Sequence, residues 1–152
     1  MKTVIIMVGI PGSGKSTWVQ KDLVNQKESY IVLNADTIRK ELYGDEAIQG
    51  NPKTVFQILY DKFRRAILNK DIKTIYIDNT SVDAKSRKQI FEILEKNCPE
   101  CKIKIKVFDD FEKAKKQNKE RSRVVPDDVM NKMINKFKYP EKTETSLNFE
   151  II

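Results

Sequence analysis

Short apolar runs alternate with amphipathic segments along this chain. Three of the runs are apolar at almost every position and rich in β-branched residues, a composition typical of buried strands: residues 3–8, 30–34 and 74–78. A fourth segment, 101–109, alternates isoleucine and valine with lysine. This period of two also predicts a strand, and one that lies nearer an edge of the sheet.

Helical periodicity fills the intervals between these strands. Apolar side chains recur every three or four residues and predict a set of helices over about 16–24, 36–43, 53–69, 83–97, 112–120 and from Pro126 onward. Strands that alternate with helices predict an α/β fold, a three-layer sandwich with a mainly parallel central sheet flanked by helices. The 152 residues suit a single domain, 1–152, whose tail from about 139 ends in a strand-like or docked apolar segment.

The loop after the first predicted strand carries the strongest motif. Its sequence, GIPGSGKST, fills every fixed position of the phosphate-loop pattern GxxxxGK[ST]. Glycines let backbone N–H groups close around a phosphate chain at a helix N-terminus, where the helix dipole attracts anions. We expect Lys15 to reach the β- and γ-phosphates of ATP or another nucleoside triphosphate, and Ser16 to contact Mg²⁺. The predicted nucleotide-binding residues are Gly9, Pro11, Gly12, Ser13, Gly14, Lys15, Ser16 and Thr17.

Two residues after the second strand suit the acceptor side of a phosphoryl transfer. Asp36 and Arg39 stand three apart at the start of a predicted helix, so both can face one cleft. A hydroxyl acceptor needs a carboxylate to take its proton, and a cation to hold any phosphate that it already carries. The alternative is purely structural: Asp36 as the helix N-cap and Arg39 as an incidental exposed cation.

Further candidates follow the third and fourth strands. Asp78 closes the third strand, where phosphate-loop enzymes hold Mg²⁺ or its waters; the alternative is a turn residue at a strand end. Arg121 and Arg123 lie between two helices in a segment, about 118–126, that suits a small lid closing an arginine over the γ-phosphate. Here the alternative is a solvated basic face. For Trp18 we expect a packing role rather than a base-stacking one.

Composition narrows the chemistry. The chain has no histidine, which excludes histidine-dependent triads and His-ligated metals and leaves acid–base work to carboxylates. A net charge of +7 favours an anionic partner such as nucleic acid. Cys98 and Cys101 form a lone CxxC that we interpret as reduced thiols in a turn, with a redox pair as the alternative. No targeting segment or long apolar run is present, so we expect a cytoplasmic protein without a membrane partner.

Taken together, these motifs resemble the phage-type polynucleotide 5′-hydroxyl kinases, a family of small phosphate-loop kinases, over roughly residues 1–139. The resemblance rests on the loop with Trp18, the Asp-x-x-Arg pair, Asp78-Asn79-Thr80, Val107-Phe108-Asp109, and Asn118-x-x-Arg121 followed by Val125-Pro126. It implies an adenylate-kinase-like phosphate-loop fold with a lid, ATP and Mg²⁺ as cofactors, and a DNA or RNA 5′-hydroxyl end as acceptor, as in nucleic-acid repair.

The resemblance also implies roles for individual residues. Asp36 is the general base on the 5′-hydroxyl, Arg39 contacts the acceptor's 3′-phosphate, and Thr80 is a further substrate-binding residue. Arg121 corresponds to the family's lid arginine, with Arg123 a second candidate because the spacing to Val125-Pro126 is shorter here. Two alternatives stay open: a kinase with another hydroxyl acceptor, such as a small metabolite, a nucleotide sugar or a hydroxymethylated DNA base, and a non-catalytic nucleotide- or nucleic-acid-binding module. Preference between DNA and RNA and the oligomeric state are also open.

Overall fold

A five-stranded parallel sheet organises the molecule. The computed structural model describes all residues from 1 to 152. The strands follow the order β2-β3-β1-β4-β5, and each neighbouring pair is parallel. In chain order they are β1 (Thr3–Val8), β2 (Tyr30–Leu33), β3 (Thr74–Ile77), β4 (Lys102–Val107) and β5 (Glu150–Ile151).

Six α-helices connect and cover the strands. They are α1 (Lys15–Val24), α2 (Ala35–Tyr43), α3 (Pro52–Leu68), α4 (Ala84–Asn97), α5 (Phe111–Lys119) and α6 (Asp127–Lys136), followed by a 3₁₀ turn, Lys142–Glu144. The predicted three-layer α/β fold with a parallel central sheet is therefore confirmed. None of the helices combines the length and the apolar composition that crossing a bilayer requires.

The core lies on both faces of β1. Val4, Ile6 and Val8 point to one face and join a cluster of 22 buried residues that includes the inner sides of α3 and α4. Ile5 and Met7 point to the other face and pack with residues of α1. Because successive side chains of a strand face opposite ways, an unbroken apolar run is what a sheet covered on both faces requires. Trp18 packs half-buried against the smaller cluster, as predicted.

Strand β4 lies next to one edge of the sheet, in agreement with the prediction of a strand nearer an edge. β4 lies between β1 and the short β5, so it is internal, but the strand outside it has only two residues. Its lysines are tolerated because Lys102 is exposed and Lys104 and Lys106 are only partly buried. Lys104 stands opposite Glu150, with 4.0 Å between Nζ and Oε1. The tail thus supplies the outer strand that its apolar end predicts.

A buried ion pair fastens this tail to the domain. The Arg87 side chain is fully buried. Its Nε and Nη2 donate hydrogen bonds to the two carboxylate oxygens of Glu144, at 2.8 and 2.9 Å. Its Nη1 donates to the carbonyl oxygen of Ser81 at 2.8 Å. Burial alone would raise the pKa of Glu144, but the hydrogen bonds and the charge of Arg87 outweigh it and lower that pKa. The tail thereby supports the loop between β3 and α4.

The interpretation of Cys98 and Cys101 as reduced thiols is wrong. The two residues are joined by a disulfide, and both are buried. Cys98 ends α4 and Cys101 immediately precedes β4, so the tight turn between them leaves their Cα atoms 5.4 Å apart. That separation lies within the range a disulfide spans.

Candidate active site

A cavity of about 1270 Å³ opens at the carboxyl ends of the strands. This is the edge at which parallel α/β sheets bind ligands. The phosphate loop, the start of α2, the end of β3 and the lid all contribute to its walls. Every residue predicted for the site lines this cavity except Gly9. Gly9 lies behind the loop, where a Cβ would come within 2.5 Å of Ser13 Oγ and 3.0 Å of Phe108 Cβ.

The phosphate loop depends on two glycines with positive φ. Gly12 has a φ of 82°, and a Cβ there would meet the Ala114 carbonyl oxygen at 2.5 Å and the Asn118 nitrogen at 2.8 Å. The loop therefore rests directly on the backbone of α5. Gly14 has a φ of 99° and is the N-cap of α1, with no side chain bonding the first turn. The N–H groups at that helix start are left for an anion.

Lys15 is held inside the loop. Its ammonium donates to the carbonyl oxygens of Gly9 and Ile10 at 2.8 and 2.9 Å. Burial lowers the pKa of Lys15 to about 8; Asp78 and Asp36 act in the opposite direction, and Arg121 lowers it further. A bound polyphosphate would restore the charged form, because anions next to an ammonium favour its protonation.

Ser16 and Asp78 meet beside the loop. Ser16 Oγ donates to Asp78 Oδ2 at 2.7 Å, and Asn34 Nδ2 donates to the same oxygen at 3.3 Å. Asp78 is buried at the end of β3. The chain has no group of three acidic, cysteine or histidine side chains that would enclose a metal. One or two protein oxygens next to substrate phosphates are how Mg²⁺ is usually held, so these residues fit that ion.

Asn34, not Asp36, caps helix α2. The Asn34 side-chain oxygen accepts from the backbone N–H groups of Asp36 and Thr37, at 2.7 and 3.3 Å. The alternative of Asp36 as the N-cap is therefore wrong, and its carboxylate is free of that structural role. The signal was present in the sequence, because asparagine is as strong an N-cap as aspartate. Asn79 anchors the same helix start by accepting from Ala35 N–H at 3.0 Å.

Two arginines converge on the Asp36 carboxylate. Arg39, one turn along α2, and Arg123, from the lid, both bond Asp36 Oδ1, the latter at 2.9 Å. The spacing of three residues predicted that Asp36 and Arg39 face one cleft, but not that they pair with each other. The pairing with Arg123 joins positions 87 residues apart, and no local pattern predicts it.

The lid is a short loop closed at its base. Asn118 is buried at the end of α5; its amide donates to the Val125 carbonyl at 2.8 Å and accepts from Val125 N–H at 3.1 Å. Between these two residues the loop carries both arginines into the cavity. Arg121 is half-buried, and its Nη1 is buried with no hydrogen-bond partner. Such an unpaired donor is unfavourable without a ligand, which speaks against a merely solvated face.

Apolar side chains that we predicted only as helix faces form the remaining wall. Phe56 of α3 and Val129 and Met133 of α6 all line the cavity. Their helical spacing gave no indication that they would face a ligand rather than the core. Thr80 also lines the cavity, and its carbonyl oxygen accepts from Gly9 N–H at 2.9 Å, which ties the end of β3 to the phosphate loop.

Residues 4–140 match the model of a family described as an AAA domain, AAA_33. The chain belongs to this family. The match covers the sheet from β1 to β4, the phosphate loop and the lid, and it ends before the 3₁₀ turn and β5.

Relatives of this AAA_33 chain are kinases. It is 27% identical over 144 residues to an adenylate kinase of a Nitratiruptor species, covering 85% of this chain and 72% of the relative. It is 26% identical over 145 residues to an L-seryl-tRNA(Sec) kinase of Methanococcus maripaludis, covering 90% of this chain but only 52% of that protein. These similarities support a phosphotransferase.

A solved structure shares the same fold. A chain of the Pnkp1/Rnl/Hen1 RNA repair complex superimposes with a TM-score of 0.69 at 19% identity, covering 89% of this chain and 43% of that one. The protein described here thus spans about half of the tRNA kinase and less than half of the repair-complex chain.

Proposed function

We propose that this protein is a polynucleotide 5′-hydroxyl kinase, which transfers the γ-phosphoryl group of ATP to the 5′-hydroxyl end of DNA or RNA. The observation that carries this proposal is the position of Asp36. Its carboxylate lines the same cavity as the phosphate loop, is not used as a helix cap, and lies between two arginines. A carboxylate for a hydroxyl proton and cations for phosphate are what such an acceptor needs.

On the donor side, backbone N–H groups of the loop bind the phosphates, and Lys15 leaves its carbonyl partners to contact the β- and γ-phosphates. Arg121, with its unpaired Nη1, approaches the same charge from the lid. Ser16 and Asp78 would hold Mg²⁺, directly or through water. When bound, that ion neutralises charge on the phosphate oxygens.

On the acceptor side, Asp36 accepts the proton of the 5′-hydroxyl as that oxygen attacks the γ-phosphorus. A new P–O5′ bond forms, the bond to the β,γ-bridging oxygen breaks, and ADP leaves. Arg39 and Thr80 hold the acceptor's 3′-phosphate. Arg123 is a positioning residue that holds Asp36 until the acceptor takes its place.

The relatives and the charge favour a nucleic-acid acceptor. A seryl-tRNA kinase and a component of an RNA repair complex both act in an RNA context by their names, and both resemble this chain over most of its length. The net charge of +7 attracts a polyanion. Nucleic-acid repair is the process that such an activity would serve.

The test is a screen of acceptors with γ-labelled ATP and Mg²⁺. It compares 5′-hydroxyl DNA and RNA oligonucleotides, the same oligonucleotides already carrying a 5′-phosphate, nucleoside 3′-phosphates and small hydroxyl metabolites. We expect label on the 5′-hydroxyl oligonucleotides and none on their phosphorylated counterparts. Label on another acceptor alone would contradict the proposal.

A kinase with a small hydroxyl acceptor is the second candidate. The similarity to an adenylate kinase, whose name implies a mononucleotide acceptor, favours it. Label on a mononucleotide, a nucleotide sugar or another metabolite, with none on oligonucleotides, would establish this candidate. A protein that binds ATP but labels no acceptor would instead be a non-catalytic binding module.

A further inference from the structure

A second cavity, of about 550 Å³, runs along α3 and is bounded on its other side by Gln89 of α4. Phe56 lines both cavities, so the two are neighbours. The α3 residues in it are separated by three or four positions and therefore lie on one face of the helix. From Lys53 to Arg64 that face extends about 16 Å. We call this surface the α3 groove.

The chemistry of the α3 groove is that of a single-strand binding surface. Phe56 and Tyr60 pack half-buried against the core, and the rest of their surface lines the groove, with ring centroids 6.0 Å apart and planes tilted by 41°. Lys53 and Arg64 supply a cation at each end. Aromatic faces between cations are the arrangement on which single-stranded bases stack while their phosphates are neutralised.

The one acidic residue in the groove does not oppose this. Asp61 pairs with Arg64 at 3.1 Å, but both side chains are exposed, at 62% and 41%. Exposed pairs of this kind are weak, so the Arg64 guanidinium can turn to a phosphate. Gln57 of α3 and Gln89 of α4 add amides that both donate and accept hydrogen bonds.

We infer that the α3 groove binds the nucleotides that follow the 5′-terminal one in a single-stranded acceptor. The inference rests on the proposed function, because it continues the acceptor path from Asp36 and Arg39 on α2. Helix α3 packs beside α2, with Lys62 bonded to Glu41 at 3.2 Å. The groove makes the enzyme selective for oligonucleotides over mononucleotides.

The experiment measures kcat/KM for acceptors that share one 5′-hydroxyl nucleotide: the nucleoside 3′-phosphate, a trinucleotide and a hexanucleotide. We expect kcat/KM to rise about tenfold or more from the mononucleotide to the hexanucleotide, because each stacked base adds affinity. Tyr60→Leu, which keeps an apolar side chain without a ring, should reduce that ratio about fivefold. Arg64→Gln should reduce it similarly, more at low salt than at high salt.

Arg65→Gln is the matched control, because Arg65 is an exposed cation on the same helix that does not line the groove. It should leave the ratio unchanged. A ratio near one in the unmodified enzyme would overturn the inference, and so would a high ratio that neither Tyr60→Leu nor Arg64→Gln lowers. If the nucleoside 3′-phosphate and the oligonucleotides are phosphorylated with equal kcat/KM, the proposed function stands and the inference about the groove is wrong.

A binding measurement distinguishes failure of the proposed function from failure of the inference about the groove. Fluorescence anisotropy of a 3′-labelled hexanucleotide does not require turnover. If no acceptor is phosphorylated, the proposed function fails, while weaker binding by Tyr60→Leu and Arg64→Gln but not by Arg65→Gln would still support the groove. Binding that is equal in all variants would overturn it.

Discussion

The donor and acceptor halves of the cavity are built in different ways. The proposed donor half is built mainly on one contiguous segment, the phosphate loop, in which Gly12 and Gly14 have positive φ and the backbone of Gly12 rests on α5. The acceptor half is assembled from side chains of distant segments, as in the pairing of Asp36 with Arg123 across 87 residues. A backbone-built half tolerates few changes, whereas a half built from side chains can be altered one contact at a time.

The largest effect is expected from Lys15→Met in the donor half. It removes the only side-chain cation of the loop, and we expect kcat/KM to fall about 10³-fold, as when a donor to developing charge is removed. Steady-state kinetics with ATP measures this. Lys27→Met, an exposed lysine beyond α1, serves as control. If kcat/KM falls less than tenfold, the backbone of the loop is sufficient for the donor function without the Lys15 ammonium.

Asp36→Asn in the acceptor half comes next. We expect kcat to fall about 10²-fold because the general base is lost, while ATP affinity stays close to that of the unmodified enzyme. Transfer kinetics and calorimetric ATP titration separate the two quantities. Asp45→Asn, just beyond the end of α2, controls for charge. Unchanged transfer would remove Asp36 as the base.

Substitution of the two lid arginines should affect different kinetic parameters, one belonging to the donor half and the other to the acceptor half. Arg121→Gln should lower kcat about tenfold with little change in acceptor KM, because the proposed mechanism places Arg121 against the donor phosphates. Arg123→Gln should act on acceptor KM and leave ATP affinity alone. Determining both parameters for both variants sharpens the comparison. If both variants change kcat, acceptor KM and ATP affinity in the same way, the two arginines do not serve different halves of the cavity.

The smallest effect concerns the support behind the donor half. Glu144→Gln weakens the buried pair with Arg87, and we expect it to lower the free energy of unfolding by about 2 kcal/mol at neutral pH. Because the pKa of Glu144 is lowered in the folded state, its contribution is present above its usual pKa of 4.5 and is lost as the pH falls through the lowered value.

Urea unfolding across pH 3 to 7 tests this sign. The stability curves of the two proteins should converge at the acid end and separate toward neutrality. Glu28→Gln, at an exposed glutamate far from Arg87 in the chain, should follow the unmodified protein. A constant difference across the range would show that protonation of Glu144 does not matter.

The sequence predicted the parts that depend on local pattern. Strands, helices and the loop follow from periodicity and from glycine spacing within one segment, and all were found near their predicted bounds. For Asp36 the sequence left two interpretations open, and the choice depended on Asn34 two residues earlier. Only the structure showed which of the two capped the helix.

Contacts between distant segments could not be predicted. Arg87 and Glu144 are 57 residues apart, and a charged pair of that kind resembles any two surface residues until burial is known. The spacing of Phe56 predicted only that it lies on the apolar face of a helix. The packing of α3 shows that it borders two cavities. The Cys98–Cys101 bond was missed because a CxxC in a predicted turn does not reveal its oxidation state, whereas the structure shows the two Cα atoms 5.4 Å apart and the sulfurs joined.

The bond between Arg123 and Asp36 has a consequence for the enzyme with ATP alone. In the proposed mechanism Arg123 competes with the acceptor hydroxyl for Asp36, so an acceptor binds only by displacing Arg123, and the apparent affinity of the acceptor is reduced accordingly. The same bond keeps water from using the Asp36 carboxylate as its base. We therefore expect Arg123→Gln to tighten acceptor binding and to raise futile hydrolysis of ATP.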